Sequence, residues 1–294
     1  MNLRKMSLPE GWYPAESGEI VRFLRDKAAP RNAPAAIAPH AGWFFSGAIA
    51  AAAVSSLGKA ETIAVIGGHL SRGASPLFAR EDAVETPLGK IMIDGELREL
   101  VEGEVAKCSG TAEDLDADNT VEALLPMVRY FHPEARILWL RLPAEEFSFE
   151  AGKILARAAL RAGRTVAVLG STDLTHYGRN YGFSPRGSGE SALSWVRNVN
   201  DRAFIDAVER GDPREILDRA ERDRSACSAG AVLGALGYVA EITAEETSAG
   251  KRPSGTGAPA GRARLAAYGT SADAFPGRSV PGSFVGYGAF VFGG

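Results

Sequence analysis

A chain of 294 residues with 45% hydrophobic and 23% charged residues is neither a disordered tail nor a fibre, and it is long enough to bury a substantial core. Its 33 basic and 36 acidic residues leave a net charge of −3, with no cationic run suited to nucleic acid or an anionic membrane surface. Two cysteines without a C-x-x-C pair exclude a disulfide scaffold, and no run of about eighteen apolar residues offers a membrane span, so we read a cytoplasmic protein.

In chain order, helical spacing over 18–24 predicts a first helix, ended by Pro30 and Pro34. The apolar run 35–38 predicts a buried strand that stops at Pro39, which removes a ladder donor, and delivers His40. Ser46 is then expected to cap a small-residue helix over 47–53. A second buried strand, 62–66, runs into Gly67-Gly68-His69-Leu70. Residues 79–94 read as a hairpin turning at Pro87-Leu88-Gly89, followed by a helix over 96–102. The acidic patch 113–119 reads either as a solvated face or as a source of helix-capping carboxylates, ahead of a helix over 121–130 bent or begun at Pro126.

A third strand is expected at 137–142, a helix at 147–162, and a fourth strand at 165–170 that ends in Ser171-Thr172-Asp173-Leu174-Thr175-His176. Helices over 191–209 and 213–222 precede Cys227 and an apolar helix through 231–239. The shift to Ala, Gly, Pro, Ser and Thr near 243–262 predicts a flexible surface loop. Strands at 264–270 and 284–292 would close the sheet, antiparallel at one edge. This rhythm predicts an α/β fold: a single domain over 1–294 with a mostly parallel central sheet and helices on both faces.

Three of the four histidines, His40, His69 and His176, follow strands at what should be one sheet edge, where ligands collect in open α/β folds. His132 lies in a connection and is set aside. Neutral imidazoles suit zinc, iron and copper, and Cys227 could add a thiolate, although by spacing alone it reads equally as a small buried residue. Cys108 has no such context. Asp173 could orient His176 or His40, or simply staple a turn, and His176 could move protons. A serine hydrolase would want a G-x-S-x-G elbow, which is absent, and the glycines near 255–257 carry no P-loop lysine.

Ala38-Pro39-His40-Ala41-Gly42-Trp43 with Ser46-Gly47, then Ser171-Thr172-Asp173-Leu174-Thr175-His176-Tyr177-Gly178, then Cys227 with Gly230, resemble the Memo family, in bacteria and archaea the AmmeMemoRadiSam system protein B. The order and spacing fit from about residue 8 to the late Val285-Gly286-Tyr287-Gly288-Ala289 strand. That family is similar in fold to class III extradiol (LigB-like) dioxygenases, which hold non-haem Fe(II) with two histidines and a carboxylate; in Memo proteins a cysteine takes the carboxylate's place. The resemblance implies His40 and Cys227 as metal ligands, with Asp173 and His176 beside them; our own reading adds His69 as the third ligand.

Two segments depart from the family pattern. Gly67-Gly68-His69-Leu70 stands where the family carries G-P-[ST]-H or a similar run, with the histidine one residue earlier, and Asn119-Thr120-Val121-Glu122 stands for H-S-x-E. The expectation is a metal-dependent oxidoreductase using Fe(II) or copper on an unidentified small-molecule or peptide substrate. A non-catalytic module that sequesters metal or grips a protein is the alternative, and a zinc hydrolase is a third. The family's gene neighbourhood implies AMMECR-type and radical-SAM proteins as partners; neither nucleic acid nor a membrane is expected.

Overall fold

The computed structural model describes residues 1–30, 32–248 and 261–293. In order, β1 (Leu3–Arg4), α1 (Ser17–Leu24), β2 (Ala35–Ala38), α2 (Trp43–Val54) and β3 (Thr62–Leu70) open the chain. Next come β4 (Leu77–Phe78), β5 (Ala83–Val84), β6 (Ile91–Met92), α3 (Gly95–Val105), β7 (Ala112–Glu113), α4 (Asn119–Glu122) and α5 (Leu125–Phe131). Then follow β8 (Arg136–Pro143), α6 (Phe147–Ala162), β9 (Val166–Ser171), β10 (His176–Gly178), α7 (Glu190–Trp195), α8 (Asp201–Arg210), α9 (Pro213–Arg222), α10 (Ala229–Ser248), β11 (Ala263–Thr270) and β12 (Ser283–Phe292).

Period-two alternation explains the layers. Along the central strands Ala64, Ile66, Leu138, Leu140 and Val168 face one core with α3, α6, α8 and α10. Their sequence neighbours Ile63, Val65, Ile137, Trp139 and Leu169 face a second core with α1, α2 and α5. The sheet is ordered β10-β12-β2-β9-β3-β8-β4-β7, with β11 also on β12. Strands β2, β9, β3 and β8 are parallel, as the β-α-β rhythm predicts. Antiparallel pairs flank them: β12 against β2, β10 and β11 on one side, and β4 against β8 on the other. The parallel centre aligns the carboxyl ends of β2, β3 and β9 on one edge.

Helices α6 and α10 pack at backbone contact, since a Cβ on Gly152 would collide with the Gly234 carbonyl and one on Gly237 with the Phe149 carbonyl. The 79–94 hairpin is present as β5 and β6 around the Thr86–Gly89 turn, and β1 adds to it in parallel.

Four expectations need correction. Helix α2 begins at Trp43 with Gly42 at its N-cap, because Trp12 O accepts the Trp43 N–H at 2.8 Å; Ser46 lies inside the helix and donates back to Ala41 O at 2.9 Å. Strand β3 continues to Leu70 through a register irregularity after Gly67. The stretch 191–209 is interrupted by a π-helical turn, Val196–Asn200. The loop expected near 243–262 is helical as far as Ser248, where α10 ends; residues 249–260 lie outside the described ones. No helix among the described residues is long and apolar enough to cross a membrane.

Candidate metal centre

His40 follows β2, His69 sits in the last turn of β3, and Cys227 lies two residues before α10, so three remote segments meet at one sheet edge. One ligand atom from each, an imidazole nitrogen from His40 and His69 and the Cys227 sulfur, lies within 4.8 Å of the other two. His40 Nε2 is 3.4 Å from Cys227 Sγ. Donor atoms sharing one tetrahedral ion at about 2.0–2.3 Å stand roughly 3.3–3.8 Å apart, a spacing that the His40–Cys227 pair already has.

His69 reaches this centre through an unusual backbone conformation. Its φ is +57°, in the left-handed region a β-branched or bulky residue rarely adopts, and the register irregularity between Gly67 and Leu70 accompanies it. Gly68 is required beside it: a Cβ there would collide with Ser228, the residue after Cys227. The histidine that stands one position early in sequence thus still meets the other two donors.

Outer partners fix which nitrogen faces inward. His40 Nδ1 is 2.8 Å from Ser171 Oγ, and His69 Nδ1 is 3.0 Å from Asp118 Oδ2. Both Nδ1 atoms are therefore engaged, leaving the Nε2 atoms for the shared centre. Asp118 is held in turn by Arg141, whose guanidinium lies 3.4 Å from it and donates through Nε to Gly68 O at 2.9 Å. Arg141 also binds Asp114 and Asp116. The acidic patch is divided: Glu113 and Asp116 are exposed, whereas Asp114 and Asp118 are buried, and Asp118 caps α4 as the capping alternative predicts.

Asp173 lies beside both histidines. Oδ1 accepts the His40 backbone N–H at 2.8 Å, and Oδ2 lies 3.7 Å from His176 Nε2 and 4.0 Å from His40 Nε2. The Asp173 N–H donates to Cys227 Sγ at 3.3 Å. Burial opposes the Cys227 thiolate, but the charges and hydrogen bonds of His40 and His69 outweigh it and hold the thiol well below its ordinary range. Burial likewise opposes charge on the histidines. Asp173 and Cys227 nonetheless raise His40, and the hydrogen bonds that His69 donates to Asp118 and Cys227 lift it to about 10. A thiolate beside two imidazoles is a donor set an ion could take over by displacing protons.

The centre opens onto a cavity of about 620 Å³ walled by Trp12, Asn119, His176, Tyr181, Phe275 and Tyr287, among others. A profile described as Memo-like protein matches residues 4–291 of this sequence. The chain belongs to the Memo family. It is 32% identical to a MEMO1 family protein of Pyrococcus abyssi over 78% of this chain and 82% of that one. A second, from Methanococcoides burtonii, is 29% identical over 81% and 80% of the two chains. A solved structure of an uncharacterised Escherichia coli K12 protein aligns over 89% of this chain and all of that one, with a TM-score of 0.47 and 14% identity.

In this Memo-family chain Asn119 donates to His40 O at 3.2 Å and braces that histidine's backbone. Glu122 of the same segment is a clamp: it accepts the N–H groups of Ser7 and Leu8 at 2.9 Å each and the Tyr13 hydroxyl at 2.9 Å. That clamp seats the N-terminal segment so that Trp12 forms part of the cavity wall. Asp118, Ser171 and Arg141 were not legible as site residues. The local signal was the acidic patch 113–119, read as a source of helix-capping carboxylates ahead of the helix expected over 121–130.

His132 is buried away from the cavity, its Nε2 3.2 Å from Val54 O, and Cys108 is exposed.

Proposed function

We propose that this chain binds one divalent transition metal through His40, His69 and Cys227 and uses it as an oxidoreductase on a substrate taken up in the adjoining cavity. The observation that carries this reading is the convergence of three donor atoms within 4.8 Å, two of them on residues that line that cavity, His40 and His69, with both Nδ1 atoms already engaged elsewhere. Two imidazoles and one thiolate suit Fe(II), and copper or zinc are compatible with the same donors. When bound, such an ion supplies Lewis-acid polarisation and, as iron or copper, electron transfer.

The protein's own groups do the remainder. Asp173 holds the His40 backbone and stands beside His176, whose side chain is 33% exposed and stacks on Tyr181 with ring centroids 4.9 Å apart. His176 is therefore oriented to give or take a proton at a substrate atom in the cavity. Trp12, Phe45 and Phe275 supply apolar wall that displaces water from a bound substrate.

Anaerobic protein loaded with Fe(II) and exposed to nitric oxide tests this reading. An iron–nitrosyl signal in electron paramagnetic resonance, lost in His40→Ala, is expected for an ion with an open position. Bound iron that takes up no nitric oxide would overturn the oxidoreductase reading in favour of metal storage.

A further inference from the structure

The cavity above the candidate metal centre does not stand alone. Pro281 and Ser283 line it and also line a second hollow of about 700 Å³. Between the two lies the 3-10 turn Arg179–Tyr181, which offers Tyr181 to the inner cavity and Arg179 and Asn180 to the outer hollow. This partition is braced on several sides. The Asn180 N–H donates to Ser283 Oγ at 3.1 Å, and Arg224 donates to the carbonyls of Tyr181 and Gly182 at 3.1 Å each.

The two compartments differ in chemistry. Aromatic rings of Trp12, Phe45, Tyr181, Phe275 and Tyr287 dominate the inner wall. Among the described residues, the outer hollow is lined by Asn180, Ser184, Ser188 and Ser283, with Arg179 as its one charged lining residue. Arg179 is exposed, and among the described residues no carboxylate pairs with it. A free guanidinium set among hydroxyls and amides in a concave wall is a forked donor for an oxyanion.

We propose that the substrate of this site is elongated, with an aromatic or similarly flat apolar body in the inner cavity and a terminal oxyanion, carboxylate or phosphate, held by Arg179 in the outer hollow. The proposal rests on the inner cavity being the substrate site, but not on which ion, if any, is bound there.

The test uses the full metal-free chain and three series of fluorescent probes: dansyl ω-amino acids, dansyl ω-aminoalkyl phosphates and the neutral dansyl ω-amino alcohols, each over increasing spacer length. Dissociation constants are read from dansyl fluorescence. At a preferred spacer length one or both anionic series should bind at least about tenfold more tightly than the alcohol. Which series shows the gain identifies the terminal group. Arg179→Ala should abolish that preference and leave alcohol binding unchanged. Arg186→Ala, which removes an exposed arginine that stacks on Trp195 and does not line the hollow, should leave the preference intact. Anions no tighter than alcohols at every length, or equal losses in the two arginine variants, would overturn the proposal. Because these readouts need no metal, absence of metal binding would sink the metalloenzyme reading while leaving this result to stand or fall by itself.

Discussion

Cys227 lies 3.4 Å from His40 Nε2 and accepts the Asp173 N–H, so its thiolate is held by neighbours strong enough to overcome burial. In the metal-free protein its alkylation by iodoacetamide should stay fast at acidities where an ordinary thiol, with a pKa of about 8.5, is protonated and slow. His40→Ala removes the largest opposing charge, and the half-maximal rate should move back toward that ordinary value. A wild-type profile already centred on the ordinary thiol range would contradict this electrostatic arrangement. Asp118 acts one bond further out, through His69 Nδ1. Asp118→Asn keeps the side chain's shape but removes its charge, and by analogy with other outer-shell carboxylates metal affinity should fall about 10- to 100-fold in a chelator competition, with unchanged circular dichroism.

At the scale of elements, the π-helical turn Val196–Asn200 brings Asn200 and Asp201 to face inward together. Asp201 accepts the Thr175 N–H at 3.1 Å and the Tyr268 hydroxyl at 2.7 Å, fixing the backbone just before His176. Burial pushes its carboxyl up to about 6, with the hydrogen bonds only partly opposing. Because the folded pKa exceeds the unfolded one of about 3.9, the associated stability, about 3 kcal/mol, is full below about pH 4 and is lost as pH rises through 6. Asp201→Asn should flatten that fall in urea denaturation between pH 4 and 7, and an unchanged slope would refute it. The α6–α10 contact makes a second demand. Gly152→Ala drives a methyl into the Gly234 carbonyl, and the overpacking should lower stability by about 1–3 kcal/mol or more.

These elements also show what a sequence conveys. The strands at 35–38, 62–66, 137–142 and 165–170 were legible because continuous apolar runs between turn residues mark buried parallel strands, and their alternation with helices gave the α/β class. His40, His69, His176 and Cys227 stood out because their residue types and their positions after strands or before a helix are local features. Arg141 and Asp118 did not, since their meaning comes from the pairing of segments far apart: Arg141 with the Gly68 carbonyl 73 residues away, Asp118 with His69 49 residues away. Periodicity reports which face of its own element a residue occupies, not the charge it will meet there. The start of α2 was misjudged for the same reason, since Trp12, from a distant coil, satisfies the Trp43 amide.

Over the whole molecule, the N-terminal segment crosses both the sheet and the site. Arg4 donates to Asp114 O and Asp116 O and stacks over Trp139, while Glu122 clamps Ser7, Leu8 and Tyr13. Glu122→Ala should free residues 5–13, detectable as new early cuts there in limited proteolysis while the α6–α10 layer stays protected. An unchanged cleavage pattern would mean that β1 and Arg4 alone hold the strap.

The central claim is that the sheet edge gathers one metal ion onto His40, His69 and Cys227. Elemental analysis of protein purified without oxygen or chelator, alongside His40→Ala, His69→Ala and Cys227→Ala, tests it most directly. Near one iron or copper per chain in the wild type, lost in all three variants, is the result expected. No metal in the wild type, even after addition of Fe(II), Cu(I) or Zn(II), would contradict it.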